Sequence, residues 1–90
     1  MYRIIGGRSS GKTSNLMLLA KENNCAIACS NPNAMRQKAH AYGIIGLNFI
    51  SYSDLFAGRY EGDAMIDELE TFIKSYVDVN LIGYSLTDED

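Results

Sequence analysis

Ninety residues, 47% of them hydrophobic, suit one small domain around a single core that buries about 60–65% of the unfolded surface. No stretch approaches the roughly 20 apolar residues of a membrane span, and the apolar run in MYRIIGGRSS is too short for a signal peptide, so a cytoplasmic protein is expected. The net charge of −3 divides into +5 over residues 1–50 and −8 over residues 51–90, and without the terminal Asp88-Glu89-Asp90 the body is neutral, so no strong nucleic-acid field is expected over the whole surface.

YRII, residues 2–5, reads as a short buried strand ending at Gly6. The glycine-rich GGRSSGKT follows, spaced as Gly6-x-x-x-x-Gly11-Lys12-Thr13. This is the Walker A spacing, in which backbone N–H groups cradle phosphates, the lysine reaches their outer oxygens and the hydroxyl holds Mg²⁺. Gly6, Gly7, Arg8, Ser9, Ser10, Gly11, Lys12, Thr13 and Ser14 are thus the candidate nucleotide-binding residues. From Lys12 to about Asn23 the pattern is helical, with Leu16, Leu19 and Ala20 on one face. A helix beginning there adds free N–H groups and a positive dipole end to the loop.

CAIAC, residues 25–29, is a second apolar strand. It carries Cys25 and Cys29 on one face, and with no further ligands nearby they read as buried, reduced thiols. The next helix is capped by Ser30 or Asn31, has Pro32 in its first turn and closes at Gly43. The only histidine, His40, belongs on its surface. Arg36, Lys38 and His40 form a local candidate contact for nucleic acid, although a solvated helix face accounts for them better. LNFISY gives a third strand, SDLFAG one capped turn and RYEG a polar loop.

In DAMIDELETFIKSYV the period changes. Ala64, Met65 and Ile66 read as a strand ending near Asp67, whereas Leu69, Phe72, Ile73 and Tyr76 recur at helical spacing. VNLIGYS, residues 79–85, supplies a fifth strand, so residues 1–86 form one nucleotide-binding domain and residues 87–90 an acidic tail. Strands alternating with helices imply an α/β three-layer sandwich with a mainly parallel sheet of about five strands, whose ligand lies beyond the strands' carboxyl ends.

AMIDE also places adjacent carboxylates at such an end. That is what a Walker B element needs, with Asp67 organising the Mg²⁺ shell beside Thr13 and Glu68 orienting or deprotonating an attacking water. Acidic residues in the first turn of a helix are the alternative explanation.

With these two motifs in this order the chain resembles a minimal P-loop NTPase of the additional-strand, catalytic-glutamate division, with a core like those of RecA and the helicases. The resemblance implies the P-loop NTPase fold, with LIGYSLT as the sensor strand and Ser85 or Thr87 as its polar residue. It also implies Mg²⁺ and ATP as ligands, with Lys12 and Glu68 as the catalytic pair; GTP fits equally, since no base-specificity motif is visible. No lid, nucleic-acid module or clear arginine finger accompanies the core, so the expected function is Mg-ATP binding with slow hydrolysis that needs a protein partner or a homo-oligomer. Two alternatives stand beside it. One is a non-enzymatic adaptor or inhibitor of a larger host or phage machine, since the chain is similar to small P-loop proteins of phages and mobile elements. The other is a nucleoside kinase, because SSGKTSNLM and IDELETFI resemble the type II thymidine kinase pattern.

Overall fold

The computed structural model describes residues 1–7 and 11–87. In chain order these form α1 (Lys12–Glu22), β1 (Ala26–Cys29), α2 (Pro32–Ala41), β2 (Phe49–Ser51), α3 (Tyr52–Phe56), β3 (Ala64–Ile66) and α4 (Leu69–Tyr76). The sheet has three parallel strands in the order β2-β1-β3. Ile27 stands opposite Phe49 on one side and Met65 on the other.

β1 is buried at all four positions, which is why its sequence shows a continuous apolar run rather than an alternation. Around it Met17 and Ala20 of α1, Met35 and Ala39 of α2, and Phe49 of β2 close a single core. Ile27 is wholly buried at its centre, worth about 1.5–3 kcal/mol by removal from water. The local signals explain the ends of α2. Asn31 rather than Ser30 is its cap, the side chain accepting from Ala34 N at 3.1 Å, and Gly43 leaves the helix at φ 75°. Ser51 likewise caps α3 by accepting from Asp54 N at 3.1 Å.

Two expected strands do not form, and this overturns the five-strand sandwich and the P-loop NTPase fold with it. Residues 2–5 and 79–85 are outside the sheet, and Ile5 and Ile82 are 85% and 94% exposed. Apolar, β-branched residues favour extended chain, but a strand exists only where its N–H and C=O groups meet a neighbouring ladder. Here β3 pairs with β1 alone, and its other edge takes up neither segment. What remains is a small α/β unit with three parallel strands. Among the described residues no helix is long and apolar enough to cross a membrane.

Candidate functional site

The carboxyl ends of β1 and β3 and the amino end of α1 meet at one side of the sheet, where both sequence motifs lie. Gly11 is the N-cap of α1 at φ 80°, a left-handed conformation that suits glycine, and it brings no side chain to the first turn. Ser14 Oγ and Asn15 N both donate to Gly11 O at 3.0 Å, which ties the loop's last residue to the helix. Among the described residues nothing lies within 4 Å of where a Cβ on Gly7 would stand. The backbone there is approachable, and Gly6 is exposed beside it. Arg8, Ser9 and Ser10 lie outside the described residues. Lys12, Thr13 and Ser14 are all half-buried in the first turn of α1, where N–H groups precede any intrahelical acceptor.

The carboxylates arrive from β3. Asp67 N donates to Ala28 O at 2.9 Å, extending the ladder with β1 one step past the strand. Asp67 is half-buried, and its carboxyl is held above the usual value, chiefly by loss of water and then by the neighbouring Glu68, while Lys38 and Lys12 pull it back. Glu68 is the N-cap of α4 at φ 58° and ψ 71°. A non-glycine residue in that left-handed region costs about 1–2 kcal/mol, and such residues cluster at ligand sites. Its side chain turns back to α1, where Glu68 Oε1 lies 3.2 Å from Lys12 Nζ. The lysine of the first motif and the glutamate of the second therefore touch. With side chains 30% and 48% exposed the pair is worth only about 0–1 kcal/mol, so breaking it costs the fold little.

Tyr52 was not among the expected site residues. It is buried at the start of α3, and its hydroxyl donates to Asp67 O at 2.5 Å with Glu68 O as a longer second acceptor at 3.3 Å. Its ring packs edge-on against Phe72, centroids 5.3 Å apart. No motif marks it, and the one signal in the sequence is its place at the end of an apolar strand. The sequence pattern puts Lys38 in a surface patch, yet its charge acts on Asp67.

Cys25 and Cys29 are free and buried, and Cys29, at the carboxyl end of β1, lies close enough to the cluster that Asp67, after burial, pushes its thiol up to about 11. His40 is exposed on α2, and Arg36 donates to Asn33 Oδ1 at 2.8 Å. Ser85 and Thr87, expected at a sensor strand, are exposed beyond α4.

No family model, curated protein or solved structure matches this chain.

The donor set suits a hard divalent cation with a phosphate chain. A hydroxyl at Thr13 and a carboxylate at Asp67 that has already shed much of its water are oxygen ligands of the kind Mg²⁺ takes. Lys12 and the first-turn N–H groups of α1 supply the opposite charge for phosphate oxygens. Among the described residues no group of three or more His, Cys, Asp and Glu gathers as a metal cluster. A cation held here would draw its remaining ligands from phosphate and water, as Mg²⁺ commonly does.

Proposed function

We propose that this protein binds Mg-ATP through residues 6–14 and the Asp67–Glu68 pair, and that it is a slow ATP hydrolase. The observation that carries the reading is the meeting of Lys12 and Glu68 at 3.2 Å, since it joins a phosphate-binding loop to a candidate general base across the chain. Lys12 leaves Glu68 for the β- and γ-phosphates, and the N–H groups of Gly11 to Ser14 hold the phosphate chain. Thr13 and Asp67 would hold Mg²⁺, which when bound neutralises charge on the phosphates. Glu68, freed from Lys12, accepts a proton from the water whose oxygen attacks the γ-phosphorus, the bond to the β–γ bridging oxygen breaks, and ADP carries away the electron pair. GTP fits the same phosphate contacts. Titration calorimetry with ATP, in Mg²⁺ and in chelator, tests this: saturable binding that tightens with Mg²⁺ supports it, and no binding at millimolar nucleotide sinks it.

Two arginines are engaged with other partners: Arg59 is held by Asp54 at 2.9 Å and Arg36 donates to Asn33 Oδ1 at 2.8 Å. An arginine supplied by a second protein surface is worth about 10³–10⁵ in rate in phosphoryl-transfer enzymes.

A second reading, an adaptor for a larger assembly, is favoured by the open edge of β3 and by exposed apolar side chains at Tyr2, Ile5, Val79, Ile82 and Tyr84. A stable partner retained by Lys12→Ala and indifferent to nucleotide would favour it over the first.

A further inference from the structure

We propose that Tyr52 is the positioning residue of the carboxylate pair: its hydroxyl clamps the backbone between Asp67 and Glu68 and so fixes the left-handed turn that aims Glu68 at Lys12. The use of that pair toward Mg-ATP rests on the function proposed above.

The chain must leave β3 and enter α4 within two residues, Asp67 and Glu68. Asp67 is fixed at its amino side by the bond from its N–H to Ala28 O. Glu68 O takes the first helical bond of α4, from Phe72 N at 3.1 Å. Between those anchors, the carbonyl of Asp67 has Tyr52 as its donor, and Glu68 adopts φ 58° with no glycine to make that conformation cheap. Strain of this kind persists only where the surroundings over-determine it.

Tyr52 is built for that task. Ser51, its N-cap, ends β2, so the tyrosine is carried on the strand that flanks β1 opposite β3 and reaches the carboxyl end of β3 from there. Its ring is pinned by Phe72, one turn into α4, so the hydroxyl and the helix it serves are held by the same contact. It is 6% exposed, and no buried side-chain polar atom among the described residues lacks a partner. A tyrosine that merely filled space at this position would not need to end on two successive carbonyls of the candidate site.

The test compares Tyr52→Phe, which removes only the hydroxyl, with Phe72→Leu, which loosens the ring contact and keeps the hydroxyl. In the ligand-free full chain, NMR couplings and Cα shifts report the backbone of Glu68. The left-handed signature should be present in wild type and Phe72→Leu and lost or averaged in Tyr52→Phe; its retention in Tyr52→Phe would overturn the proposal. In nucleotide titrations, Tyr52→Phe should keep its metal-free ATP affinity and lose roughly 10-fold or more of the Mg²⁺-dependent gain, the range for groups that orient metal-binding side chains. Equal loss in both variants, following their melting temperatures, would mean a purely structural tyrosine and would overturn it. A wild-type chain that shows the Glu68 signature and its loss in Tyr52→Phe, yet binds no ATP, would leave the clamp standing and remove the nucleotide reading alone.

Discussion

Lys12 Nζ and Glu68 Oε1 lie 3.2 Å apart, one at the first turn of α1 and the other at the residue that caps α4. The contact is partly exposed, so its weight for stability is small. Lys12→Ala should therefore fold with a melting temperature close to wild type, since exposed pairs contribute about 0–1 kcal/mol. Its ATP affinity should fall about 10- to 100-fold, the scale of a lost hydrogen bond to a charged group. Circular dichroism melts and ATP titrations measure both; unchanged affinity would remove Lys12 from the site.

Glu68 separates stability from function. Glu68→Gly removes a carboxylate and relieves a left-handed non-glycine residue, so thermal stability should hold or rise by about 1 kcal/mol while turnover is lost. Glu68→Gln keeps the shape and loses the base, and should bind ATP without hydrolysing it. Steady-state hydrolysis set against nucleotide affinity decides the matter, and loss of binding in Glu68→Gln would make Glu68 structural.

Asp67 sets a pH dependence with a definite sign. Its folded carboxyl lies above the usual 3.8, so between those two values the native state holds the extra proton and stability falls as pH rises. The resulting penalty is complete once pH passes the folded value and persists at neutral pH. Asp67→Asn should accordingly melt higher than wild type at pH 7, match it near pH 3, and lose the Mg²⁺-dependent part of ATP binding. Melting curves at the two pH values check the first claim, and an Asp67→Asn variant less stable than wild type at pH 7 would contradict it.

The core makes an independent prediction. Ile27 is wholly buried on the central strand, so Ile27→Ala should cost about 2–5 kcal/mol in urea unfolding and Ile27→Val about 0.5–1.5 kcal/mol.

The parts of this architecture that were legible in the sequence are those set by local chemistry. The helix after Gly11, the unbroken apolar run of β1, the cap and Pro32 at the start of α2, and the change of period at Asp67 all have causes within a few residues. YRII and VNLIGYS misled because apolar, β-branched residues specify an extended chain but not a partner, and strand pairing is decided by what lies across the edge. The helical spacing of Leu69, Phe72, Ile73 and Tyr76 did mark α4, but no residue of that helix is buried. Phe72 and Tyr76 instead join an aromatic cluster in which Phe56 and Tyr76 stack at 4.2 Å. For the site, Walker A and Walker B spacing brought Lys12 and Glu68 into view. Tyr52 and Lys38 stayed hidden because their link to Asp67 exists only once β2 and α2 have packed beside β1.

Whether a phosphate chain takes the place of Glu68 beside Lys12 is read from backbone amide shifts as Mg-ATP is added to the full chain. The expected result is a set of saturable shifts concentrated on Gly7 and Gly11 to Ser14, joined by Asp67 and Glu68, and absent in Lys12→Ala. Shifts confined to the exposed face of α2 around Arg36 and His40, or none at millimolar nucleotide, would contradict it.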